Sequence, residues 1–268
     1  MLIESYIETV ETSTGPMNLH IIKPKLPEYP NAKWPGVLVF SEIYNVTEPV
    51  TRFATSIASQ GYIVVCPTVF HEFAESAIAY DIPGTDAGNE YKIKKLLSAY
   101  DSDAKVAIDY LVSHSNCTGR IGATGMCLGG HLAFRAALDP RILNAVCYFP
   151  TDIHSATLSS GDDSLARASK GEIRGEITLI FGVQDGHIPL KGRNLIRETL
   201  NTVPGLKLSF LELQANHAFI RDAFSKGRFD AAITKVCFEL LLETFGRTIA
   251  RDLGERIDLN KGDEKLVC

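Results

Sequence analysis

The chain has 268 residues, of which 45% are hydrophobic and 22% charged, and a formal net charge of −5. That length suits one α/β unit with a large core, and the balance of residues argues against disorder. The acidic sum argues against a nucleic-acid or anionic-membrane surface, and no apolar run approaches the roughly 18 residues of a membrane span.

In chain order, the opening residues to about Lys25 alternate apolar and polar around Ser13-Thr14-Gly15-Pro16, which predicts a β-hairpin. Gly36–Phe40 is a short continuous apolar run, the pattern of a strand buried on both faces. Thr51–Gln60 reads as a helix stopped by Gly61, and Tyr62–Cys66 as a second buried strand halted by Pro67. From Thr68 to about Lys92 periodicity is lost while glycine, proline and acidic residues accumulate, so residues 68–98 are expected to form a lid-like excursion over the sheet.

Asp101–Ser115 has apolar residues close to helical spacing. Arg120–Thr124 is strand-like and leads through glycines to a helix starting near Leu128. Leu143–Phe149 and Ile177–Phe181 read as further buried strands, Leu206–Leu213 alternates, and Phe229–Phe245 is a long amphipathic helix. Residues 248–268 are charged and aperiodic, the pattern of a tail behind a single domain over 1–247. Strands alternating with helices predict a three-layer α/β domain with a mainly parallel central sheet. In such sheets the reacting groups gather at the carboxyl ends of the strands.

Gly125-Met126-Cys127-Leu128-Gly129-Gly130 joins a strand to a helix through glycines that flank one nucleophilic residue. This is the pattern of a nucleophile elbow, with cysteine where serine is usual. A helix start favours a thiolate through its unpaired N–H groups and its dipole. An acid and then a histidine should follow at later strand ends, the chain order of the α/β-hydrolase fold. Asp185 lies just beyond Ile177–Phe181, and His217 just beyond Leu206–Leu213. In that arrangement His217 takes the thiol proton, and Asp185 fixes the imidazole tautomer and steadies the imidazolium. His187 and His131 are rival bases: His187 sits on the same loop as the acid, and His131 four residues along the elbow helix.

Gly129-Gly130 is followed by His131 rather than the lysine of a phosphate loop, and no dinucleotide fingerprint follows the first strand. No cofactor is expected, and Cys127 and His131 lack the further ligands of a metal site. The six cysteines, Cys66, Cys117, Cys127, Cys147, Cys237 and Cys268, form no C-x-x-C pair. Without a basic stretch and apolar core at the N-terminus they are expected to be free thiols, in a cytoplasmic protein with access to the nucleus. The sequons at Asn45 and Asn116 are then accidental.

Taken with Ser41-Glu42-Ile43-Tyr44-Asn45-Val46, these motifs resemble the dienelactone hydrolase (carboxymethylenebutenolidase) family over about Gly36 to Phe245. Segments such as Gly88–Lys92 and His217–Asp222 look most like its fungal members. The resemblance implies that Glu42 holds the resting thiol until substrate displaces it. It implies an oxyanion hole made by the backbone N–H groups of Leu128 and Ile43. Arg221 matches one of two arginines that grip a substrate carboxylate, and Tyr91, in the segment aligned with the other, is a further expected substrate contact. Two positions depart from the bacterial pattern: Ala218 replaces a hydroxyl residue, and the second arginine aligns near Ala87.

The expected function is hydrolysis of small lactones or activated esters through a Cys-His-Asp triad and an acyl-enzyme. The expected partner is a small-molecule ester or lactone, with neither nucleic acid nor membrane. Two alternatives are a non-catalytic protein, binding a small carboxylate or sensing redox through Cys127, and a thioesterase or peptidase on the same fold.

Overall fold

The computed structural model describes residues 1–251, so most of the expected charged tail lies outside the described residues. The opening alternation forms a hairpin in which β1 (Leu2–Thr12) pairs antiparallel with β2 (Gly15–Lys25). β2 turns Met17, Leu19 and Ile21 into the core, while β1 forms the outer edge of the sheet.

The buried runs become β3 (Trp34–Phe40), β4 (Ile63–Pro67), β5 (Cys117–Met126), β6 (Ile142–Tyr148) and β7 (Glu176–Gly182), followed by β8 (Lys207–Leu213). They build one eight-stranded sheet in the order β1-β2-β4-β3-β5-β6-β7-β8. β2 meets β4 antiparallel, and every later pair is parallel. The inner strands are covered on both faces and so read as unbroken apolar runs. β8 is a partly exposed edge and alternates.

The helices are α1 (Glu48–Ala58), α2 (Ile82–Lys94), α3 (Leu97–Ser113), α4 (Leu128–Ala136), α5 (Ser164–Ser169), α6 (Leu190–Asn201) and α7 (Ala231–Thr248). They flank the sheet: α1 meets α7 through an edge contact of Phe53 with Phe238, and α3 packs beside α4. None of the described helices is long and apolar enough to cross a membrane. This is the α/β-hydrolase fold, with a mixed, mostly parallel sheet.

Three helices depart from the sequence reading. The excursion after β4 is not irregular throughout, because α2 occupies 13 residues of it. Asp81 caps that helix by accepting the Gly84 N–H at 2.7 Å, and Pro83 sits in its first turn, where a missing N–H costs nothing. Only Gly84 and Gly88 of α2 are buried, so no apolar stripe betrays it. α5 is short, and α6 leaves Leu190 and Leu195 exposed, which blurs its periodicity.

Candidate active site

The elbow is built by backbone crowding. β5 ends at Met126, Cys127 takes φ 59° and ψ −122°, and α4 begins at Leu128. A non-glycine residue held there costs on the order of 1–3 kcal/mol, which the surrounding structure must offset. A Cβ on Gly125 would stand 2.3 Å from the Gly129 carbonyl oxygen, and one on Gly129 would stand 2.1 Å from that of Phe40. The two glycines therefore let β3, β5 and α4 converge behind the thiol. The Cys127 N–H donates to the Tyr148 carbonyl at 3.1 Å, and the Cys127 carbonyl accepts from the Gly130 N–H at 3.0 Å. The half-buried thiol is left at the start of α4, where the Leu128 N–H is among those with no partner inside the helix.

Asp185 stands in the loop after β7, only 3% exposed. Its Oδ1 accepts the His187 N–H at 2.8 Å, and its Oδ2 lies 2.6 Å from His217 Nδ1. His217 follows β8 and sets its ring edge-on against Phe149, with centroids 4.9 Å apart. The imidazole and the Cys127 thiol line the same pocket. Burial opposes charge on His217, yet Cys127 and Asp185 together outweigh it and push the imidazole up to about 10.

The two rival histidines sit differently. His131 is fully buried on α4 with Nε2 3.0 Å from the Ser164 hydroxyl, and burial pushes it down. It is not among the residues that line the pocket above Cys127. The exposed His187 ring stands 4.4 Å from the His217 ring; partial burial and the His217 charge push it down. Ligand atoms of Asp185, His187 and His217 lie within 4.8 Å of one another, close enough to seat a cation. The Asp185–His217 bond already spends two of those groups on each other.

Glu42 lines the same pocket as Cys127, and its carboxylate accepts from Arg221 Nη1 at 3.0 Å on both oxygens and from the Tyr80 hydroxyl at 3.2 Å. Glu42 and Arg221 are 2% and 4% exposed, so each charge has lost its water and takes the nearest opposite charge instead. Arg221 also donates from Nη2 to the Phe224 carbonyl at 2.9 Å and lies 4.4 Å from the Tyr80 ring centroid. Burial lowers the Arg221 guanidinium and Glu42 raises it, with a net upward result. Burial and the Glu42 charge also push the Tyr80 hydroxyl upward. Arg221 reaches the pocket wall, though with its charge already paired.

Tyr91, expected as a substrate contact, is not among the residues lining the pocket above Cys127; it stacks on Phe73, with centroids 5.0 Å apart at 13°, and meets Phe70 edge-on. Its position on α2 aims it into the excursion's own small cluster.

The pocket above Cys127 and His217 has a volume of about 260 Å³. Ile43 lies in the loop beyond β3, and that loop is firmly tied. The Ile78 N–H donates to the Tyr44 carbonyl at 2.9 Å, and the Tyr44 hydroxyl lies 2.9 Å from that of Thr85. A Cβ on Gly88 would stand 2.3 Å from the Ile43 carbonyl oxygen, so glycine lets α2 rest directly on this loop. Asn45, at φ 57°, donates to the carbonyls of Ala74 and Ser76 and accepts the Phe70 N–H. Sequence reasoning passed over Asn45 and Tyr80. The Asn45 sequon drew notice for the wrong reason, and nothing local marks Tyr80.

The dienelactone hydrolase family model matches residues 23–249. The chain belongs to the dienelactone hydrolase family. A Saccharomyces cerevisiae protein described as "Putative carboxymethylenebutenolidase" is 54% identical over 268 residues, covering 97% of each chain. The carboxymethylenebutenolidase of Pseudomonas putida is 28% identical over 196 residues, which cover 71% of this chain and 77% of the relative. Among solved structures, a dienelactone hydrolase-like promiscuous phosphotriesterase, P91, from metagenomic libraries superposes with a TM-score of 0.70 at 17% identity, covering 91% of this chain and 99% of P91. This family member is therefore a dienelactone-hydrolase-like, carboxymethylenebutenolidase-like hydrolase.

Proposed function

We propose that the protein hydrolyses small lactones or activated esters through a Cys127–His217–Asp185 triad and an acyl-enzyme intermediate. One observation carries this reading: a single buried imidazole bonds Asp185 through Nδ1 and lines one pocket with the thiol of a strained elbow. Spectator groups gain nothing from such an arrangement, whereas a nucleophile and its base need it.

The chemistry follows from the atoms. The Cys127 proton passes to His217, and the sulfur attacks the carbonyl carbon to form a C–S bond. The developing oxyanion is received by the N–H groups of Leu128 and Ile43, donors held in place before the reaction begins. Collapse breaks the C–O bond, and the imidazolium gives its proton to the leaving oxygen. Water then attacks the thioester while His217 accepts one of its protons. The thiol departs with that proton, leaving a free carboxylic acid. In a lactone the leaving oxygen stays tethered, so the product is the ring-opened acid.

The cavity volume favours small substrates, and a thiol nucleophile favours activated carbonyls over amides with poor leaving groups. Arg221 is already paired with Glu42, and Ala218 offers no hydroxyl. A carboxylate-bearing dienelactone would thus lack contacts worth about 1.5–3 kcal/mol each. Cys127→Ala should abolish turnover of aryl-ester and lactone probes by purified protein, and activity surviving in that variant would overturn the reading.

A further inference from the structure

Besides the triad, the pocket above Cys127 is lined by two carboxylates and four cationic side chains, and most of these cancel. Glu42 pairs with Arg221, and Lys92 Nζ lies 2.9 Å from Asp152 Oδ2. Lys226 and Arg228 remain, and neither has an ion pair among the described residues. In a chain whose formal net charge is −5, this cleft thus carries two positive charges with nothing to balance them. A cleft lined by one sign of charge concentrates the opposite sign. Arg221, which the family resemblance would offer to a carboxylate, is spent on Glu42. A negative group in this pocket therefore meets unspent charge at Lys226 and Arg228.

Both cations come from the turn over 224–228, and its shape is held by specific bonds. Phe224, Lys226 and Gly227 take φ of 56°, 53° and 76°. Two non-glycine residues in the left-handed region persist only where the surroundings hold them there. Those holds converge on Ser225, which is 8% exposed. Its carbonyl accepts the Arg228 N–H at 3.1 Å and Arg228 Nε at 2.9 Å, and its hydroxyl accepts the Phe229 N–H at 3.2 Å. Arg221 Nη2 donates to the Phe224 carbonyl at 2.9 Å. The Nε bond orients the Arg228 guanidinium and leaves its terminal nitrogens without a hydrogen-bond partner among the described residues. Phe224 rests one ring face on Tyr80, with centroids 5.3 Å apart at 15°, yet it is 61% exposed and lines the same pocket. An open ring face beside unspent cations suits a planar ring that carries a negative charge.

We propose that Phe224, Lys226 and Arg228 form the specificity wall of this pocket and select esters that carry an anionic aromatic group. The chemistry rests on the hydrolytic reading, so binding and turnover are measured separately on the full chain. In calorimetry at low salt, benzoate should bind roughly tenfold tighter than benzyl alcohol or better, and benzylamine should not bind. Cyclohexanecarboxylate keeps the charge but not the plane and should bind more weakly than benzoate. Lys226→Gln with Arg228→Gln should bring benzoate down to the affinity of benzyl alcohol, and Phe224→Leu should erase its lead over cyclohexanecarboxylate. Should the neutral pair not fold, Lys226→Gln alone, at an exposed position, decides. In turnover, the preference in kcat/KM for 3-acetoxybenzoate over phenyl acetate should fall roughly tenfold in the neutral pair. Benzoate binding that ignores the neutral pair, or Cys127-dependent turnover without preference for the anion, would overturn the wall alone. Benzoate binding through Lys226 and Arg228 with neither ester hydrolysed would support the wall and sink the hydrolytic reading.

Discussion

Asp185 and Glu42 are both buried carboxylates at the ends of sheet strands, yet one faces an imidazole and the other a guanidinium. In the proposed triad the charge of Asp185 is passed on through His217 to Cys127, so the carboxylate would support a proton that can move. The charge of Glu42 is cancelled where it stands, by an arginine that does not give up its proton and by the Tyr80 hydroxyl. On that proposal the same functional group serves a labile proton on one side of the pocket and a fixed ion pair on the other. The residue type at the strand end does not decide which role it plays; the partner does.

The comparison can be broken most forcefully at Asp185. Asp185→Asn should lower kcat by about 10⁴, because the imidazole loses its tautomer and its support. A fall of only a few-fold in steady-state assays would place Asp185 in the same static role as Glu42. Glu42→Gln should act on stability instead, since removing one partner strands a buried guanidinium. The expected loss is about 3–5 kcal/mol in urea unfolding, and adding Arg221→Met should recover most of it. Unchanged stability, with faster alkylation of Cys127, would mean that Glu42 works on the thiol after all.

The His217 proton sharpens the contrast through pH. Its imidazole, pushed up to about 10, binds a proton more tightly in the folded chain than an ordinary histidine at about 6.5. The stability this supplies is fully present below about 6.5 and is lost as pH rises toward 10. Over the same rise kcat/KM should fall, because the imidazolium that protonates the leaving group disappears. NMR titration should find the His217 midpoint well above 6.5 and lower in Cys127→Ala; an ordinary midpoint in both would remove the thiol from the pair. The smallest effect belongs to Tyr80→Phe, which deletes one neutral donor to Glu42 and should cost about 1 kcal/mol of stability with kcat preserved.

The elbow was legible because its constraint is local: glycines at 125 and 129 are needed wherever three backbones meet around one strained residue. Asp185 and His217 were legible as candidates because a buried strand announces its own carboxyl end. The Glu42–Arg221 pair was not, since its members are 179 residues apart and each could have faced the thiol, the substrate or solvent. α2 hid for a related reason: it rests on the Ile43 loop through Gly88 and buries only its glycines, so no apolar stripe marks it, and its register sets Tyr91 against Phe73. The partners of charged groups, unlike strand ends, are set by tertiary packing.

Intact-protein mass spectrometry during turnover of an activated aryl ester tests the acyl-transfer chemistry most directly. The wild-type chain should carry one acyl group, mapped to Cys127, which appears with release of the alcohol and decays as the acid forms. Product formed with no adduct, or an adduct on Cys127 that never decays, would contradict covalent hydrolysis through this thiol.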